Sequence, residues 1–376
     1  MDNFIVSARK YRPSTFSSVV GQETITATLK NAIRNNQVAQ AFLFCGPRGV
    51  GKTTCARIFA KALNCEHLTD DFEPCNECES CQSFNNSASF NVFELDAASK
   101  NSVEDIRELV EQVRVQPQGA KYKVYIIDEV HMLSGAAFNA FLKTLEEPPA
   151  YAKFIMATTE KHKILPTILS RCQVYDFKRI NDSDIVRHLQ FVAQNEGVTA
   201  EEDALRVVAA KADGALRDAL SIFDQLVSFT GKNITYKETI SNLNVLDVDN
   251  YFKIIDIVLS DDVSGALLLL DDILAKGFDA QNFISGLASH IRNLLIAQSP
   301  GTIQLLQVSD SIKARLQEQS QRADRMLLTR ALELANQCDF NYKMSNNKRL
   351  SVELCLMQIN ANYVYKRQRA RQSQER

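Results

Sequence analysis

Gly46–Thr53, GPRGVGKT, directly follows the apolar run AFLFC (41–45) and opens the amphipathic stretch 53–64. It satisfies G-x-x-x-x-G-K-[ST], and a strand before with a helix after separates such a loop from a chance glycine-rich turn. Glycines let successive backbone N–H groups turn inward around phosphate oxygens, and the helix N-terminus that follows adds favourable partial charge. On this reading Gly46, Pro47, Arg48, Gly49, Val50, Gly51, Lys52, Thr53 and Thr54 form a phosphate-binding loop. Lys52 is expected to reach the β- and γ-phosphates, and Thr53 to ligate Mg²⁺.

Such a loop needs an acidic group at the end of a neighbouring strand. VYIIDE supplies Asp128 and Glu129, some 75 residues downstream. Asp128 is expected to hold magnesium, through water, and Glu129 to orient or deprotonate the attacking water. Working outward, AFLFC (41–45), VFEL (92–95), KVYIID (123–128) and KFIMAT (153–158) each read as a buried strand of a parallel sheet. Helical patterns lie between them, at 53–64 and at 102–115, where Val103, Ile106, Leu109, Val110 and Val113 share a face. Strand and helix alternating in this way predict a doubly wound α/β structure over 1–180. Past that point 182–195, 201–212 and 215–229 have helical period, with Gly197 and Gly214 as stops. From 244 to 365 the pattern stays helical and richer in Leu and Ile, and 366–376 reads as a polar, basic tail, a frayed end or linker.

Composition narrows the function classes. At 376 residues the chain has room for two to four domains, and 45% hydrophobic with 23% charged residues excludes wholesale disorder. No run approaches the ~18 apolar residues of a membrane span, so no membrane association is expected. The start, MDNFIVSARKYRP, lacks the apolar core of an export signal, and a cytoplasmic location is expected. A formal charge of −2 argues against a protein that coats nucleic acid by bulk attraction.

The cysteine count of nine is high for such a chain. Cys65, Cys75, Cys78 and Cys81 form C-x9-C-x2-C-x2-C, and two-residue gaps let thiolates converge on one ion. Four thiolates close a tetrahedral zinc shell and leave no open position, which predicts a structural Zn²⁺. Iron–sulfur ligation is the rival reading, although the fourth Cys and following Pro of a ferredoxin run are missing. His67 is a possible substitute ligand. Cys45, Cys55, Cys172, Cys338 and Cys355 read as small buried hydrophobes. Two arginines, Arg171 in SRC (170–172) and Arg217 in GALRDAL, read alone as solvated or salt-bridged side chains.

The motifs occur in a telling order: ARKYRPSTFSSVVGQ, GPRGVGKT, the four cysteines, DAASKNSVEDIRE, KVYIIDEVHMLS, FNAFLKTLEEPP, ATTEKHKILPTILSRC and GALRDALS. This series closely resembles the gamma/tau family of bacterial DNA polymerase III clamp-loader subunits, most densely over 1–230. The resemblance implies an AAA+ base (1–180) with its zinc-binding insertion at 65–81. A helical lid (181–243) and an all-α collar (244–365) follow. It implies an ATPase that assembles with other clamp-loader subunits into a hetero-oligomeric, pentameric ring and loads a sliding clamp onto primer–template DNA without sequence readout. It also implies residue roles. Lys52 and Thr53 serve phosphate and magnesium, and Asp128 and Glu129 serve metal binding and hydrolysis. Thr158 or Thr159 senses the γ-phosphate, Arg171 reaches a neighbouring subunit's ATP, and Arg217 senses γ-phosphate from the lid. Tyr11, Arg12 and Pro13 with Val19 and Val20 cradle adenine, and the four cysteines match the family's zinc ligands.

A ring around DNA needs only a few inward cations per subunit, so the near-zero charge is no objection. Lys100 and Asn101, ahead of a helix starting near Ser102, are candidate phosphate contacts, against the plainer reading that Asn101 or Ser102 caps that helix. Two other functions share parts of the pattern. Another AAA+ DNA-remodelling motor would not require the cysteine cluster, and a non-catalytic clamp-loader scaffold would have a degraded GPRGVGKT or DE.

Overall fold

The computed structural model describes residues 5–306 and 308–374, with side chains through Ala361. Five strands form one parallel sheet: β1 (Ala41–Cys45), β2 (Val92–Asp96), β3 (Lys123–Asp128), β4 (Ala152–Thr158) and β5 (Gln173–Asp176), in the order β2-β3-β4-β1-β5. β1 and β4 are buried at every position and β3 at all but Asp128, which is why they read as unbroken apolar runs. β5 is the strand that the sequence reading lacks. Its QVYD has exposed Gln173 and Asp176 at the sheet edge and too few apolar residues to stand out.

Side chains alternate across the sheet. Phe42 and Phe44 of β1 face a core shared with Ile58 and Phe59 of helix Lys52–Leu63. Leu43 faces the other side, with Tyr125, Phe154 and Met156 and with Phe138 and Phe141 of helix Gly135–Glu146. Register pairs Asp96 with Asp128, and Cys45 with both Thr158 and Asp176, so all five strands end along one edge. β1 lies where the strand order reverses. Open α/β sheets hold ligands at that switch point, beyond the carboxyl ends of the strands.

By contact density the chain divides into two units, 1–200 with 208–233 and 201–207 with 234–376. The first adds helices Asp182–Glu196 and Leu216–Thr230 to the sheet. The second is helical. Its central helix, Ala280–Ala297, buries Phe283, Ile284, Leu287, Ile291 and Leu294 at three- and four-residue spacing. Helix Tyr236–Asn242, which the sequence division at 244 groups with the preceding segment, falls in the second unit. The last helix, Lys348–Gln374, carries its backbone through most of the segment read as a polar tail, and Glu375 and Arg376 lie outside the described residues. Cys45, Cys55 and Cys355 are buried as expected, whereas Cys172 and Cys338 are half-buried. Among the described residues no helix is long and apolar enough to cross a membrane.

Candidate functional site

The phosphate loop leaves β1 at its carboxyl end, and two glycines fix its path. Gly46 sits at φ +145, and a Cβ there would stand 2.4 Å from the Phe177 carbonyl oxygen. Gly49 sits at φ +77 with a Cβ position 3.0 Å from that of Ala215. Any larger residue at either place strains the backbone and pushes against a neighbour. Lys52 begins the next helix and is buried. Its ammonium donates to the carbonyls of Gly46 at 2.8 Å and Pro47 at 2.7 Å. Burial lowers its pKa, with Glu129 and Asp128 pulling the other way.

The adjacent Thr53 hydroxyl donates to Asp128 Oδ2 at 2.6 Å, so the two expected magnesium ligands meet directly. A hydroxyl beside a carboxylate is the hard oxygen chemistry that Mg²⁺ takes. Glu129 follows at φ +46, a left-handed conformation rare for a non-glycine and found where a site over-determines the backbone. Its Oε2 accepts from the Thr159 hydroxyl at 2.9 Å and the Thr159 N–H at 3.2 Å. Thr158 is fully buried and turned elsewhere. Its hydroxyl bonds His131 Nδ1 at 3.0 Å and accepts from the Glu160 N–H at 3.0 Å.

A cavity of about 550 Å³ opens beside this edge, a size suited to a nucleotide-class ligand. Arg48 through Thr54, Asp128 and Glu129 line it, together with Tyr11, Arg12, Pro13, Val19 and Val20. Arg217 joins them from helix Leu216–Thr230, its N–H donating to the Gly49 carbonyl at 3.3 Å. Gly46 and Pro47 do not line the cavity; their carbonyls lie behind it, held by Lys52. Thr158, Thr159 and Arg171 are also off its lining. Arg171 is about one-third exposed and donates to the Thr167 carbonyl at 2.6 Å and Glu146 at 2.8 Å. Burial raises the Tyr11 phenol to about 12, helped by its 2.5 Å bond to Glu196. Burial likewise lowers the Arg12 pKa, reinforced by Arg57.

Sequence reading missed Asp96, Ala98, Ile180, Leu216 and Leu220 on the same cavity. The strand end VFELDAA beside a phosphate loop was the available signal for the first two, and the one- and three-residue offsets from Arg217 for the last two. His131 carried no periodic signal at all. At the candidate DNA contact, Ser102 is the helix cap, exchanging hydrogen bonds with Asp105 at 3.1 Å each way. Lys100 is exposed.

The four clustered cysteines do converge. Their sulfurs all lie within 4.8 Å of one another, with Cys65–Cys75 at 3.5 Å and Cys75–Cys81 at 3.9 Å. Ligand sulfurs on a tetrahedral zinc stand about 3.8 Å apart, so the set fits that ion. Burial works to raise the Cys75 thiol, but the N–H groups of Cys78 and Glu77 outweigh it and bring the pKa to about 6. A thiol ionised at neutral pH is the form that binds a metal. His67 is not among the clustered ligands.

Three family models match consecutive parts of the chain: DNA polymerase III delta subunit over 21–181, DNA polymerase III clamp loader subunit ATPase lid domain over 184–232, and DNA polymerase III subunits gamma and tau domain III over 237–372. The DNA polymerase III subunit gamma of Buchnera aphidicola subsp. Baizongia pistaciae is 37% identical over 81% of this chain and 82% of its own length. The chain belongs to the DNA polymerase III gamma/tau family. Within that family, Bacillus subtilis subunit tau is 40% identical over 93% of this chain, and Haemophilus influenzae subunit tau/gamma is 46% identical over 66% of it. The matches cover 62% and 36% of those two relatives, so the chain spans less than two-thirds of either length. The chain therefore combines a parallel-sheet α/β base with a lid domain and a helical C-terminal domain of that family.

Proposed function

We propose that this chain is an ATP-hydrolysing subunit of a cytoplasmic DNA polymerase III clamp loader. It assembles with other clamp-loader subunits in a pentameric ring and uses ATP to place a sliding clamp on primed DNA. The observation that carries this reading is the meeting, on one cavity, of the phosphate loop, the Thr53–Asp128 pair and the lid's Arg217. Lys52 exchanges two loop carbonyls for phosphate oxygens, recovering stronger charge-assisted bonds. Thr53 and Asp128 hold Mg²⁺, which when bound neutralises charge on the β- and γ-oxygens. Glu129 leaves Thr159 to orient the attacking water, and Thr158 or Thr159 reports on the γ-phosphate. Arg217 contacts that phosphate from the lid, and Tyr11, Arg12, Pro13, Val19 and Val20 take the adenine. Cys65, Cys75, Cys78 and Cys81 bind a structural zinc.

Arg171 is exposed, off its own subunit's cavity, and tied only to Glu146 and nearby groups of its own segment, as suits a finger offered to a neighbour. Such arginines are worth about 10³–10⁵ in rate. In the assembled ring with clamp and primed DNA, Arg171→Ala is expected to keep ATP binding and lose DNA-stimulated turnover. Unchanged stimulated turnover would overturn the role. Activity indifferent to clamp would point to another DNA motor, and no ATPase activity in the native chain would point to a scaffold.

A further inference from the structure

One carboxylate ties the four-cysteine insertion to the turn that leads into the nucleotide cavity. Glu73 lies between Cys65 and Cys75 and is only 7% exposed. Its Oε2 accepts from the Phe16 N–H at 2.6 Å and its Oε1 from the Ser17 N–H at 2.9 Å. Lys30, on helix Glu23–Arg34, sits 2.7 Å from Oε1. These two N–H groups open the tight turn Phe16–Ser18, where no partner within the turn exists for them. A buried carboxylate that accepts two backbone bonds and pairs with a lysine is held in one position.

The turn leads straight into the cavity. Val19 and Val20 follow it and line the cavity with Tyr11, Pro13 and Ile180. Phe16 itself is 1% exposed and shares a core with Val19 and Val50. On the other side, Glu73 is fixed within its loop: its carbonyl accepts from the Thr69 N–H at 3.0 Å and its N–H donates to the Thr69 hydroxyl at 3.1 Å. The insertion is anchored a second time, since Lys61 on the helix that follows the phosphate loop donates to Asn76 and, at 3.2 Å, to Asn85. The cysteine loop is therefore tied to the turn through Glu73 and to the last turn of the phosphate-loop helix, off the cavity lining, through Lys61.

We propose that Glu73 is a positioning residue for the base-binding side of the nucleotide site, holding Val19 and Val20 in place against the metal-binding insertion. This rests on the reading of the cavity as an ATP site. It gives the insertion a role in nucleotide selection: metal in the four-cysteine site orders the loop, Glu73 fixes the turn, and the turn sets the wall on which a flat heteroaromatic ring lies. Glu73 makes its bonds to the turn and to Lys30, and none to Gly49, Lys52 or Thr53 of the triphosphate end.

The test separates the two ends of the ligand. The full chain, zinc-loaded, is titrated with a fluorescent ATP analogue, and inorganic tripolyphosphate is measured by competition, with zinc content read on the same samples. Glu73→Ala is expected to weaken ATP about 5–20-fold while leaving tripolyphosphate within about twofold. Lys30→Met, which removes the carboxylate's partner without touching the insertion, should show the same selective loss at smaller size. Asp70→Asn, an exposed acid in the same loop, should change neither. Chelated protein should lose at least as much ATP affinity as Glu73→Ala, since chelation loosens the Lys61 link as well. Equal ATP affinity in Glu73→Ala and Lys30→Met would overturn the proposal, as would parallel loss of ATP and tripolyphosphate. If Glu73→Ala loses its zinc, Lys30→Met decides between these outcomes. Failure of the unsubstituted chain to bind ATP would instead remove the nucleotide reading itself.

Discussion

Both units of the chain bury polar groups, and the two sets differ in what their partners are. In the α/β unit, Lys52 is bonded to the Gly46 and Pro47 carbonyls, Thr53 to Asp128 and Thr159 to Glu129, and Lys52, Thr53, Asp128 and Glu129 line an open cavity. In the helical unit, His290 Nε2 and Gln319 Oε1 stand 3.0 Å apart, and Gln319 Nε2 donates to the Phe252 carbonyl at 2.8 Å and Asp256 Oδ1 at 2.9 Å. His290 is 4% and Gln319 1% exposed. Under the proposed function, Lys52, Thr53 and Glu129 exchange these bonds for ones to a phosphate, a metal or a water. The second set joins helices Val248–Leu259, Ala280–Ala297 and Asp310–Arg322, with His290 and Gln319 buried between them and Asp256 at the exposed end. Burial and polarity alone thus do not mark a site. Exchangeable partners beside a cavity do.

The sharpest way to break the comparison is Lys52→Ala. If the Lys52 bonds exist to be exchanged, the substitution should lower steady-state phosphate release by at least about 100-fold, because phosphoryl transfer relies on positioned positive charge. Thermal unfolding should move little, since Lys52 lines the cavity and water can enter the space it leaves to bond the two carbonyls. A large fall in melting temperature with activity retained would make Lys52 an architectural group like His290.

The same contrast governs what the sequence could disclose. The phosphate loop is legible because its chemistry is local: three glycines, a lysine and a threonine within eight residues, framed by strand and helix. Asp128 is legible because it ends an apolar run. His131 is not, because its partners Thr158 and Glu160 lie across the β3–β4 pairing, some thirty residues away in sequence. Glu73 is hidden for another reason. It sits in an acidic, cysteine-rich run where Asp70 and Asp71 look the same, and only burial distinguishes it. Asn101 and Ser102 are equally good caps on paper; Asp105 three residues on selects Ser102 by completing the reciprocal bonds. β5 escaped because an edge strand with two polar ends carries almost no pattern.

The helical unit gives a pH-dependent test of the closed set. Burial lowers the His290 pKa from 6.5 to about 4, with Arg315 adding to the shift and Gln319 and Asp256 opposing it. The folded form therefore binds fewer protons than the unfolded form between those values, and stability falls as pH drops through 6.5 until the loss levels off below about 4. At pH 5 the expected loss relative to pH 7 is about 2 kcal/mol. Urea unfolding, with hydrogen exchange read in helices Ala280–Ala297 and Asp310–Arg322, should show this slope. His290→Gln should flatten it. An identical slope in the variant would mean that His290 is not the group responsible.

The smallest effect sharpens the same point. Arg315 lies over the Phe252 ring at 4.1 Å and reaches Asp249 at 2.7 Å, and it is about half exposed. A half-exposed ion pair with a ring contact contributes about 0.5–1 kcal/mol. Arg315→Met should therefore cost about that much at pH 7, where His290 is neutral in both folded and unfolded chains. At pH 5 the loss should be smaller, because removing the cation eases protonation of the buried imidazole. The quantity to measure is the difference between the two losses in the same unfolding assay. A loss that is equal at both pH values would mean that Arg315 acts on the surface alone, and the closed set would then end at Gln319 and Asp256.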